Sequence, residues 1–143
     1  MIGAIAVIAI LGAYFLTSNQ MRAPGGTTST LTQTTQQAAQ TITLVQAPTN
    51  AKVAIPVTVS WRIDSSVQKN IAHTAVHYST KSIANPQSVA DYQFVTDIQS
   101  GTIPNTYSAQ MILVPAGTYY YRAHAIVDGQ NIWSEEKMIA VGG

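Results

Sequence analysis

The sequence predicts an α+β protein: an N-terminal hydrophobic α-helix followed by an antiparallel β-sandwich. Three observations predict it. The first sixteen residues, MIGAIAVIAILGAYFL, carry no charge. Residues 23–40, APGGTTSTLTQTTQQAAQ, are Thr-, Ser- and Gln-rich with one large apolar residue, Leu31. From residue 41 onward, apolar and polar residues alternate in short runs broken by Pro, Gly, Asn and Asp, the pattern of half-buried strands joined by turns.

Residues 1–22 read as a helix whose apolar residues run all round it, leaving no polar face for water. Sixteen apolar residues span roughly 24 Å at a helical rise of 1.5 Å per residue, short of the about 30 Å of a bilayer core, so Thr17, Ser18, Asn19 and Gln20 would complete any span. A secretory signal needs a basic region before its apolar core, and only Met1 precedes Ile2. A plain anchor or an atypical signal peptide is the simpler alternative. Gly3, Ala6, Ala9 and Gly12 recur every third residue, with Ala13 beside them. A stripe of small side chains lets helix backbones approach closely, which marks these five residues as candidate helix-packing positions. Pro24-Gly25-Gly26 ends the helix, and the polar run over 23–40 cannot bury a core of its own.

The third part, 41–143, is expected to hold about seven strands, as a two-sheet sandwich requires. They fall at 42–45, 53–63, 72–80, 90–98, 107–114, 118–127 and 131–141. In the second, Val53, Ile55, Val57, Val59, Trp61 and Ile63 share one face, and Pro56 points to an edge or a bulge near its start. Asp128-Gly129 is a hairpin turn signal between the last two.

Composition narrows the function. Charged residues are 9% of the chain and the net charge is +1, so nothing argues for nucleic acid. Arg22 is the sole charge among the first 51 residues. A weakly charged surface favours self-association. The absence of cysteine removes disulfides, thiol catalysis and Cys-ligated zinc.

The residues of the third part resemble a fibronectin type III-like, immunoglobulin-like domain. Val57-Thr58-Val59-Ser60-Trp61 is similar to the family's second strand with its buried tryptophan, and Thr74-Ala75-Val76-His77-Tyr78 to its third. The run Leu113 to Ala125 resembles the turn and strand that carry the tyrosine corner. The resemblance implies that Tyr119 is the corner residue, its hydroxyl bonding upstream backbone, and that Trp61, Tyr119 and Tyr121 belong to the core. Ala116, inserted between Pro115 and Gly117, and the polar 64–71 segment depart from the pattern. The whole layout is similar to that of archaeal type IV pilins and archaellins. This implies a filament subunit whose N-terminal helices pack in the core while the sandwiches face outward.

No nucleophile elbow, phosphate loop or dinucleotide fingerprint is present. Glu135 and Glu136 are adjacent on a strand, so they face opposite ways and cannot act as a dyad. Enzyme activity and cofactors are therefore not expected. His73 and His77 share one face of the third strand. Alternation in the sixth turns Tyr119 and Tyr121 inward and leaves Tyr120, Arg122 and His124 outward. If those strands are neighbours, the five outer residues form one patch on a sheet face. A metal site is one use of it; a solvated or intersubunit patch is the ordinary one, and because Tyr and Arg are enriched at interfaces, subunit contact is preferred. The expected function is a structural subunit of an extracellular, cell-surface filament, inserted in the membrane before assembly, with identical subunits as partners and a surface or glycan target undefined. The alternatives are a single-pass anchored binding module and a subunit that donates a strand to its neighbour.

Overall fold

The computed structural model describes residues 39–143. Ten strands follow one another: β1 (Thr41–Gln46), β2 (Asn50–Lys52), β3 (Val57–Asp64), β4 (Lys69–Ser79), β5 (Phe94–Val95), β6 (Gln99–Ile103), β7 (Asn105–Met111), β8 (Gly117–Val127), β9 (Gln130–Trp133) and β10 (Lys137–Gly142). One sheet has the order β1-β3-β7; the other has β2-β10-β8-β4-β5, with β6 beside β4 and β9 beside β8. All these pairings are antiparallel except β2 with β10.

The α+β expectation is corrected: the described residues form an all-β sandwich whose only helical element is a three-residue 3-10 turn, Val89–Asp91. Alternation in 41–143 produced sheets on both sides of the core, with no helix needed to cover either. The helix expected over 1–22, with Gly3, Ala6, Ala9, Gly12 and Ala13, lies outside the described residues, as does most of the linker.

The core lies between the sheets. Val59, Trp61 and Ile63 of β3 face Tyr119, Tyr121, Ala123 and Ala125 of β8 across it, all of them buried. Two polar tips are satisfied on the way: Tyr119 Oη donates to the Pro115 carbonyl (3.1 Å) and Tyr121 Oη to that of Pro48 (2.9 Å). Burial pushes the Tyr121 phenol up to about 12. A buried bridge ties the sheets together: Trp61 Nε1–H donates to Thr74 Oγ1 (2.8 Å), and that hydroxyl donates to the His124 carbonyl (2.8 Å).

The short strands β2 and β6 have no counterpart in the sequence reading, and three of the expected strands differ from it. The strand expected from Val53 begins at Val57, because Ala54 takes a positive φ of 60° in a turn and Pro56 has no N–H for a ladder; Ile55 is 57% exposed rather than inward. The strand expected at 90–98 is mostly irregular, reduced to the 3-10 turn and the two residues of β5. The strand expected at 131–141 is broken at Ser134-Glu135-Glu136 into β9 and β10. The Asp128-Gly129 turn has φ values of 52° and 77° and joins the pair Val127–Gln130, the two-residue hairpin with two positive φ angles that Asp-Gly favours.

Direction along the strands defines two poles. Thr41 pairs with Asp64 at one end of the sandwich, where β8 also finishes. At the other end the turn after β2 meets the turn after β7, through Ala54 N–H donating to the Leu113 carbonyl (3.1 Å).

Candidate metal centre

β4 carries a bulge. Ile71 pairs with Gly101 and Thr74 with Gln99, so three steps on β4 match two on β6. Such an insertion re-aims side chains. Ile71 and Thr74 both face the core, while His73, Ala75 and His77 turn to the other face of the sheet. On β8, Arg122, His124 and Ile126 stand on that same face. The register sets His73 against Ile126, Ala75 against His124, and His77 against Arg122. His124 therefore sits opposite a methyl group, with a histidine diagonally on either side.

The three rings converge. Their centroids are 5.9 Å apart for His73–His77, 5.0 Å for His73–His124 and 5.2 Å for His77–His124. One ring nitrogen from each lies within 4.8 Å of the other two. No carboxylate joins the group among the described residues.

This face was expected to be outward, and that expectation is corrected. His77 is 4% exposed and His124 is fully buried. Trp133 of β9 pairs with His124, its ring 4.1 Å from the imidazole. Tyr92 stacks on Trp133 at 5.3 Å and covers His77 at 5.8 Å. Tyr92 reaches that position because the segment before it is pinned. Arg122 donates to the carbonyls of Ser134 (2.7 Å), Ile83 and Ala84 (3.2 Å each). Glu136 accepts from Ser82 Oγ (2.5 Å) and from the Ile83 N–H (2.8 Å). A capping box between Ser88 and Asp91 then shapes the 3-10 turn. Arg122 is thus committed within its own chain, and Tyr120, half-buried, lies farther along β8 opposite Ser79 and Met138.

The electrostatics keep the imidazoles neutral. Burial depresses His77 to about 4, helped by His124 and then His73. Burial also depresses His124 to about 4, against the hydrogen bond to Asn131, and it lowers His73. His124 Nε2 lies 2.9 Å from Asn131 Oδ1. An amide oxygen only accepts, so Nε2 carries the proton and Nδ1 presents a lone pair. That Nδ1, with Nε2 of His73 and Nε2 of His77, is buried without a hydrogen-bond partner. A cleft of about 220 Å³ adjoins the pair on β4, bounded by His73, His77, Tyr92, Phe94, Val95 and Ile98 among others. Neutral imidazoles with free lone pairs are ligands for borderline transition metals.

The sequence patterns bring His73, His77 and His124 together and leave out the residues that enclose them. Trp133 and Asn131 were readable in principle: a two-residue turn at Asp128-Gly129 fixes which β9 residue meets His124. Tyr92 arrives on an irregular segment and has no comparable signal.

No family model and no curated protein matches this chain. Among solved structures, the chain is similar to part of a β-glucosidase from Listeria innocua, with TM-score 0.53 and 8% identity over 74% of this chain and 16% of that one. The chain thus spans about a sixth of that enzyme, and the likeness shows the sandwich fold alone. The sandwich also resembles the immunoglobulin-like CARDB domain of a Pyrococcus furiosus protein solved in complex with di-metal ions (TM-score 0.49, 9% identity, 73% of this chain and 94% of that one).

Proposed function

We propose that this chain is a non-catalytic structural subunit of an extracellular filament, displaying its β-sandwich on a polymer of identical copies resembling a type IV pilus. The observation that carries the reading is the division of the chain into an uncharged first sixteen residues, a Thr/Ser/Gln spacer and a sandwich with few charges. The uncharged stretch needs cover from lipid before assembly and from its own copies afterwards; burial is worth about 0.8 kcal/mol per methylene. The sandwich adds a second support. Its chain enters at the Thr41 pole, and the opposite pole exposes Ile55, Ile112 and Val114 at 57%, 56% and 55%. Apolar side chains gathered at one end suit contact with a neighbouring subunit.

The sandwich alone also suits a binding module held at a membrane by the same stretch, since immunoglobulin-like folds serve many binding roles. Negative-stain imaging of the purified full-length chain separates the two. Regular fibres are expected, and a variant with Gly3, Ala6, Ala9 and Gly12 all changed to Leu is expected to form none. Monomers in the wild type, or normal fibres from the variant, overturn the filament reading.

A further inference from the structure

We propose that His73, His77 and His124 bind one borderline divalent metal ion of the zinc class through Nε2, Nε2 and Nδ1, with a fourth position open to water or an anion from the adjoining cleft. The inference does not depend on the filament reading.

Four features converge on it. The three nitrogens are buried and have no hydrogen-bond partner, although buried polar groups are nearly always satisfied. Two of the three side chains are more than nine-tenths buried, so water does not replace the missing partners freely. Asn131 fixes the tautomer and orientation of His124 from behind, as an outer carbonyl or carboxylate does for a metal-bound histidine. Finally, Ala75 opposite His124 leaves room between the rings where a larger side chain would fill it.

The donor set selects the ion. Three imidazoles and no carboxylate suit zinc, copper or nickel and not magnesium or calcium, which need oxygen ligands. Tetrahedral zinc with nitrogens at about 2.0–2.1 Å requires them about 3.3 Å from one another. One ring nitrogen of each histidine already lies within 4.8 Å of the other two; side-chain torsion closes that gap, and His73 at the margin of the cluster is the ring with most freedom to move. Arg122 faces His77 in the register, but its two terminal nitrogens are turned away to the carbonyls of Ser134, Ile83 and Ala84, and its Nε lies on the side of Glu136, 3.9 Å away. The ion would keep its full positive charge and draw an anionic fourth ligand. Its structural effect is to clamp β4 to β8, the two strands at the centre of the larger sheet.

The test uses untagged full-length protein stripped with chelator and titrated with zinc chloride by calorimetry, with cobalt as a spectroscopic probe. One equivalent is expected to bind, with a tetrahedral cobalt spectrum, and magnesium is expected not to compete. At free zinc a hundredfold above Kd, the thermal midpoint should rise by on the order of 10 °C. Because His124 is fully buried, its replacement can unfold the chain, so two milder variants decide. His73→Gln should keep the metal-free midpoint and bind zinc at least about 100-fold more weakly; Asn131→Ala should weaken it about 10- to 100-fold. Failure of the stripped protein to bind zinc, or binding unaltered in both variants, overturns the proposal.

Discussion

Thr74→Val isolates the buried bridge between the sheets. The substitution keeps the shape of the side chain and removes the hydroxyl that accepts from Trp61 Nε1–H and donates to the His124 carbonyl, both at 2.8 Å. Trp61 and Thr74 are fully buried, so water cannot take the hydroxyl's place. Stranding the indole N–H costs about 1–3 kcal/mol, and the lost bond to His124 about 1 more. The added methyl returns about 0.8 kcal/mol. The net expectation is a loss of about 1–3 kcal/mol, read as a urea midpoint about 1 M lower at an unchanged m-value. A double-mutant cycle tests the cause. In a Trp61→Phe background no N–H remains to strand, so the cost of Thr74→Val should fall to about 1 kcal/mol or less. A loss below about 0.5 kcal/mol in the wild-type background, or the same loss in both backgrounds, would refute the reasoning.

Two further predictions concern the covered histidines. In chelator, the metal-free protein should lose stability as pH falls from 6.5 toward 4, because His77 and His124 titrate near 4 when folded and near 6.5 when unfolded. The unfolded chain binds more protons in that window, so stability is complete above it and declines below, by up to about 3 kcal/mol for each histidine; urea midpoints equal at pH 7 and pH 4.5 would contradict neutral buried rings. Arg122→Met should release the segment over 82–92 by removing its bonds to the Ser134, Ile83 and Ala84 carbonyls and unpairing Glu136 3.9 Å away. We expect a loss of about 2–4 kcal/mol and faster amide exchange at Ile83 and Tyr92, and unaltered exchange there would show that the segment is held by other contacts.

Much of the sandwich was legible because each strand in it has one face on the core. Val59, Trp61 and Ile63 alternate with Ser60 and Arg62, and the structure buries the first set. The same logic turned Tyr119 and Tyr121 inward on β8. It failed where backbone chemistry overrode periodicity. Val53 and Ile55 fit the alternation of β3, yet the positive φ of Ala54 and the missing N–H of Pro56 cut the strand short. At 90–98 the alternation was accidental: Phe94 and Val95 are exposed, and only Tyr92 and Thr96 are buried. Thr96 is held by a bond from the Val76 N–H to its hydroxyl (3.0 Å), a tertiary contact that no local pattern announces.

The histidine cluster shows where such reading stops and why. Alternation identifies the face of a strand, and pairing identifies the neighbours on it; together they placed three histidines on one side of one sheet. Whether that side meets water depends on what crosses it, and here two different mechanisms supply the cover. Trp133 arrives by register: the turn Asp128-Gly129 pairs Val127 with Gln130 and, three steps on, His124 with Trp133. Tyr92 arrives by anchorage, because Arg122 and Glu136 hold the segment over 82–84 from below. Arg122, which the sequence reading placed in an exposed patch, is therefore, together with Glu136, what encloses it. Burial then removes water from three imidazole nitrogens without giving them protein partners, and a neutral, water-poor cluster of imidazoles suits a borderline metal cation. The chemistry of the site follows from its cover as much as from its ligands, so loosening Arg122 should weaken zinc binding even though Arg122 touches no metal.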